Sequence, residues 1–173
     1  MKAARHLAAV VVVGCCVVGV TGSAQRASGP AASPAPQTAP KPADKFDPAR
    51  NADADIQAAV AEAKKSKRRV ILDVGGEWCG WCHALDRYFV EHKDLTDLRD
   101  RLYVWVKVNY STENKNEAVL SRYPKIPGYP HLFVLDQDGK LVQSQGTSEL
   151  EEGSSYNLDR MQQFLMRWSG GSK

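Results

Sequence analysis

From residue 44 onward the apolar positions change period several times, and each change marks an element. Ile56, Ala59, Val60 and Ala63 recur at helical spacing. Asp47-Pro48 offers an N-cap residue followed by proline at the first helical position. Lys64, Lys65, Lys67, Arg68 and Arg69 close this helix, where cations suit the negative end of the dipole. Residues 70–74 form a short apolar run, then Gly75-Gly76 turns the chain into a helix with Leu85 and Phe89 on its buried face. A short helical piece follows over 94–101. The β-branched and aromatic run 102–109 is the clearest strand. Residues 113–122 read as a helix ending at Tyr123-Pro124. Residues 131–135 and 141–144 read as a hairpin about Asp136-Gln137-Asp138-Gly139. Leu158, Met161, Leu165 and Trp168 predict a last amphipathic helix. The order βαβα then ββα predicts an α/β fold, a central mixed sheet with helices on both faces.

The first 43 residues do not follow this pattern. Lys2, Arg5 and His6 precede an apolar run from Leu7 to Val13, with a weaker apolar tail to Val20, and Thr21-Gly22-Ser23-Ala24 supplies small residues for cleavage. That is the layout of a secretory signal peptide over 1–24. The run is too short, and too interrupted by Gly14 and Gly19, for a membrane span. A second reading takes Val12-Val13-Gly14-Cys15 as a lipobox with Cys15 lipidated, although the chain stays apolar through Val18. Both readings send the domain out of the cytoplasm, to the periplasm or the extracellular space. Residues 25–43 are rich in Ala, Pro, Ser, Gln and Thr, with Pro30, Pro34, Pro36, Pro40 and Pro42, and predict an extended linker. The folded domain is expected over 44–173.

Composition narrows the function. With 173 residues, 43% hydrophobic, the chain can build one core and leave length to spare. Its formal charge of +3 includes Lys2 and Arg5, and no basic patch is interleaved with stacking aromatics, so nucleic acid is not an expected partner. Of four cysteines, Cys15 and Cys16 fall in the leader, leaving Cys79 and Cys82. Two cysteines three apart at a helix start lie one turn from each other and can close and reopen a disulfide. Cys79, among the free N–H groups of the first turn and at the positive dipole end, is the expected nucleophilic thiolate. Cys82, a turn deeper, is the expected resolving thiol. In an oxidising compartment the pair is catalytic or a structural clip.

The stretch Asp73-Val74-Gly75-Gly76-Glu77-Trp78-Cys79-Gly80-Trp81-Cys82 resembles the active-site segment of the thioredoxin superfamily. Val106-Lys107-Val108-Asn109 resembles the family's central strand, and Gly128-Tyr129-Pro130 the loop that carries its cis-proline. The resemblance covers about residues 70–168 and implies a thioredoxin fold. It further implies that Asp73 is a buried acid beneath the cysteines, able to take the proton of Cys82, and that Lys107 pairs with it. Pro130 would be cis, with the Tyr129 backbone offered to an extended substrate segment and Trp78 shielding the site. Gly80, Trp81 and His131 complete the expected substrate-contacting set, Trp81 as a local tuner of shape and potential and His131 as a modulator. The Gly-Trp dipeptide, the extra Pro127 and His131 depart from general thioredoxins, and Trp-Cys-x-Trp-Cys resembles exported thioredoxin-like proteins.

The resulting expectation is an exported, monomeric enzyme exchanging thiols and disulfides with protein partners, with no cofactor beyond the Cys79–Cys82 pair and no metal. Reduction of partner disulfides is the preferred direction, with electrons from an upstream thiol–disulfide protein, a membrane protein among the candidates. Oxidase or isomerase is the alternative. Cys79-Gly80-Trp81-Cys82-His83 also fits the c-type haem attachment motif, with Met161 or Met166 as a second ligand. A metal module would draw on Cys79, Cys82 and His83 with His92 or His131, but lacks a second ligand pair at fixed spacing.

Overall fold

A computed structural model describes residues 44–170. The signal peptide expected over 1–24, its Cys15 alternative and the linker expected over 25–43 lie outside the described residues. The described elements are α1 (Ala52–Ser66), β1 (Arg69–Gly75), α2 (Gly80–Glu91), α3 (Lys93–Leu102), β2 (Tyr103–Asn109), α4 (Glu117–Leu120), β3 (His131–Leu135) and β4 (Leu141–Gly146). A 3-10 turn (Thr147–Leu150), a ribbon of β5 (Glu151–Glu152) and β6 (Ser155–Tyr156), and α5 (Leu158–Arg167) complete them.

The four-stranded sheet runs in the order β2-β1-β3-β4. Strand β1 pairs parallel with β2 and antiparallel with β3, and β3 pairs antiparallel with β4. Central strands covered on both faces read as continuous apolar runs, which is why Val70–Val74 shows no alternation. The faces separate in the packing. Val70, Leu72 and Val74 lie with Val106, Phe133 and Leu135 against Ile56, Ala59 and Ala63 of α1. Ile71, Leu132 and Val134 face Leu85 and Phe89 of α2, Leu95 of α3, and Met161, Phe164 and Leu165 of α5. The Tyr103 hydroxyl donates to the Leu165 carbonyl at 2.8 Å, tying β2 to α5.

Local chemistry moved three boundaries. Helix α1 starts after Asn51, whose side chain accepts the Ala54 N–H at 3.1 Å. Asp47-Pro48 instead forms a separate turn, its Asp47 carboxylate accepting from Ala49 N–H and its carbonyl from Arg50 N–H. The helix expected over 113–122 shrinks to Glu117–Leu120. Asn109 and Asn116 side chains bond backbone carbonyls of this loop, the Asn114 amide oxygen accepts the Asn116 N–H, and Asn116 takes a left-handed φ of 48°. Such side-chain bonds offer the backbone an alternative to helix. In α5 the buried stripe is Met161, Phe164 and Leu165, while Leu158 is exposed and Trp168 is the C-cap.

Candidate active site

The turn from β1 into α2 sets the geometry. Cys79 is the N-cap of α2, in extended conformation, and its sulfur accepts the Cys82 N–H at 3.1 Å. Cys79 and Cys82 are joined in a disulfide, with Cα atoms 5.2 Å apart. Both are buried, in a small cluster with Phe46, against which Trp81 and Tyr129 pack. A Cβ at Gly75 would lie 2.4 Å from the Cys82 sulfur, and one at Gly76 would lie 2.3 Å from the Trp78 indole nitrogen and 2.8 Å from the Tyr110 carbonyl. The two glycines therefore admit the disulfide on one side of the turn and the indole on the other.

Beneath the disulfide lies a buried ionic group. Asp73 sits two residues before Gly75, so their side-chain positions share one face of β1. The parallel register sets Asp73 directly opposite Lys107. Asp73 Oδ2 accepts from Lys107 Nζ at 3.1 Å and from Trp105 Nε1 at 3.2 Å, while Oδ1 is buried without a partner. Lys107 Nζ also donates to Asp86 Oδ1 at 2.6 Å. Burial pushes the Asp73 carboxyl above its usual range, with Lys107 pulling it down and Asp86 pushing further up. Burial opposes the charge on Lys107 too, yet Asp73 and Asp86 together hold its ammonium above the ordinary lysine value. The group is thus a cation between two acids, one fully enclosed and one 39% exposed at the rim.

The rim is aromatic. Trp78 is exposed, donates from Nε1 to the Tyr110 carbonyl at 2.7 Å and meets the Tyr129 ring edge-on at 5.5 Å. Tyr129 stacks on Tyr110 at 5.0 Å, and the Tyr129–Pro130 peptide bond is cis. Thr147 Oγ1 donates to the Pro130 carbonyl at 2.9 Å, anchoring this loop from the far side. Gly80 opens α2 with free space where a side chain would project. Trp81 is half-buried, its ring edge-on to Tyr156 at 5.7 Å and its carbonyl accepting from the Tyr156 hydroxyl. Trp81 and Tyr129 thus pack against the disulfide cluster, with Trp78 edge-on to Tyr129, Pro130 next to Tyr129 in the chain, and Gly80 between the cysteines.

His131 is the exception, and the expectation that it contacts substrate is corrected. It pairs with Val74 in the β1–β3 register, so its ring lies on the α1 face of the sheet, tilted against Phe133 at 4.7 Å. It is only 2% exposed, Nε2 is 2.8 Å from Ser144 Oγ, and burial holds its pKa below the usual value. Alternation along β3 turned the ring inward, where a partner does not reach it. Of the histidines and methionines named for haem or metal, Met166 is exposed on α5. His83 Nε2 is 2.8 Å from the Glu77 carbonyl, His92 lies on the Tyr88 ring, and Met161 is fully buried against α5. Among the described residues no group of three or more metal-ligating side chains converges.

Two residues escaped the sequence reading. Asp86 stands four after Cys82 and so shares its helix face, a spacing that could have flagged it. Phe46 is a lone aromatic in the polar stretch before α1. Its ring lies 4.1 Å from Lys107 Nζ, and its N–H donates to Glu77 Oε1 at 2.8 Å.

A thioredoxin-like family profile matches residues 51–137. The chain belongs to the thioredoxin-like family. It is 29% identical over 118 residues to a thiol:disulfide interchange protein DsbD of Pseudomonas fluorescens, covering 67% of this chain and 18% of that one. It is 21% identical over 112 residues to the DsbD of Pseudoalteromonas atlantica, covering 65% of this chain and 19% of that one. The chain thus matches about a fifth of the length of these relatives. A disulphide isomerase structure from Xylella fastidiosa superposes with a TM-score of 0.59 at 23% identity, over 70% of this chain and 94% of that one, and shares the fold.

Proposed function

We propose that this chain is an exported reductase of disulfides in protein partners, acting as a monomer through Cys79 and Cys82 with no other cofactor. The observation that carries the reading is a disulfide at the N-cap of α2, set above a buried carboxylate with one oxygen unpartnered. In the reduced protein the Cys79 sulfur faces the Cys82 N–H and the positive end of α2, which favours its thiolate. That thiolate attacks a partner disulfide, forming a mixed disulfide and releasing the first partner thiolate. Asp73 then takes the proton of Cys82, and the Cys82 sulfur bonds to that of Cys79. The Cys79–partner bond breaks, and the second partner sulfur leaves with the electron pair. One partner thiolate is protonated by the proton that Asp73 releases and the other by water, so two partner thiols form as one disulfide closes here.

Lys107 opposes the burial that favours the protonated carboxyl, while Trp78, Tyr129 and the Pro130 backbone receive the partner. Export rests on the leader pattern of residues 1–24, and the likeness to thiol:disulfide interchange proteins favours an upstream thiol–disulfide protein as electron donor. Cys82→Ser is expected to trap partners as mixed disulfides on a non-reducing gel, and Cys79→Ser to trap none. Equal trapping by both variants would overturn the role assignment.

A further inference from the structure

Phe46 belongs to neither the sheet nor a helix, yet it is 1% exposed and forms a cluster with both cysteines. A Cβ at Gly75 would meet the Cys82 sulfur at 2.4 Å and the Phe46 ring at 3.1 Å, so ring and sulfur crowd the same point of β1. Lys107 Nζ lies over the face of the ring, 4.1 Å from its centroid. Its segment is fastened at two places, by Phe46 N–H to Glu77 Oε1 and by Asn114 Nδ2 to the Pro48 carbonyl at 2.9 Å. The same short segment borders two open grooves. Asp44 lines the one that reaches Asp86, Trp105 and Lys107, and Phe46 and Pro48 line the one beside Trp78 and Tyr110.

We propose that Phe46 is a positioning residue for the resolving step, sealing the space between Cys82 and Asp73 from both grooves and holding the Lys107 ammonium on the carboxylate. The proposal rests on the reading of Asp73 as the base for Cys82. A proton moves between a thiol and a carboxylate of similar affinity only where water does not stabilise the carboxylate alone. The ring supplies that dryness on a side that no regular element covers, and its face is a favourable surface for the ammonium. The charged and titratable groups around Asp73 are Lys107 on β2, Asp86 on α2 and Tyr156 on β6, and the Cys82 sulfur lies against Gly75, two residues further along β1. None of these takes the place of the ring between sulfur and groove.

The test is stopped-flow reaction of the reduced protein with 5,5′-dithiobis(2-nitrobenzoate). The first release of nitrothiobenzoate, dependent on reagent concentration, reports attack by Cys79. The second, independent of concentration, reports displacement by Cys82. In wild type the second phase rises with pH through a midpoint that Asp73→Asn removes. Phe46→Ala admits water and is expected to lower that midpoint by about one pH unit. Phe46→Leu, which keeps the seal but lacks the ring face, is expected to shift the midpoint less than Phe46→Ala. Phe46→Val, a milder truncation, carries the same test with a smaller shift in the same direction if the alanine variant does not fold. An Asp73-dependent midpoint that neither truncation moves overturns this inference alone. A second phase with no Asp73-dependent midpoint in wild type overturns the reading of Asp73 and this inference with it.

Discussion

Asp73 is a carboxylic acid enclosed in a central strand, and its energetics follow from that position. Burial disfavours its charged form, so its folded pKa lies above the unfolded value of about 3.9. Between those two values the folded state holds more protons than the unfolded state, and stability falls as pH rises through that window. Asp73→Asn should therefore be more stable than wild type at neutral pH, with the difference closing as pH falls toward about 4. Parallel denaturant titrations across pH would show it, and a constant difference would contradict the burial account. The same substitution should slow the resolving phase on the order of 10²-fold, the usual worth of a positioned base. Trp78 belongs to a different category. At 57% exposed it contributes surface rather than core, so Trp78→Ala should raise KM for a protein disulfide about tenfold, as for a central aromatic contact, with little change in the reduction potential.

At the scale of elements, the β1-turn-α2 unit is where the sequence was most informative. An apolar run, two glycines and a cysteine at a helix start each carry a local physical meaning, and the structure joins them as read. Gly75 is the point where they meet. Gly75→Ala places a methyl 2.4 Å from the Cys82 sulfur, and should destabilise the oxidised protein by about 1–3 kcal/mol through overpacking. The reduced form should lose less, because a free thiol can rotate away; urea titrations of both forms give the comparison. Elsewhere the local signals were overridden. Residues 113–122 carry helix formers, but the asparagines at 109, 114 and 116 bond the loop backbone, and only one turn of helix remains. The ribbon of β5 and β6 has two residues per strand, too few for any period to register. Phe46 was hidden for a related reason, since what defines it is contact across 31 residues of chain, which no spacing encodes; Asp86 stood at a spacing of four from Cys82 that could have flagged it.

For the molecule as a whole, the mixed sheet and its covering layers were legible because β1 and β2 are mostly apolar on both faces, while the strand order is a finding of the structure. Which way each polar residue points was less so, and His131 shows why. Its neighbours in the chain are the cis-proline loop, but the alternation of β3 turns its ring into the α1 layer beside Phe133. The two core layers contain no disulfide, and the cysteines sit in a third, separate cluster. Reduction should therefore leave the fold intact, and far-UV circular dichroism of the reduced and oxidised forms should superimpose. That independence is what a pair that opens and closes in each turnover requires.

The central claim is that this pair is a reductant, and its reduction potential, measured by equilibration against a dithiothreitol or glutathione ladder, tests it most directly. A value near −270 mV, in the range of thioredoxin itself, is the predicted result. A value near −120 mV would make the protein an oxidant of thiols, and a pair that does not cycle would make the disulfide structural; either result contradicts the claim.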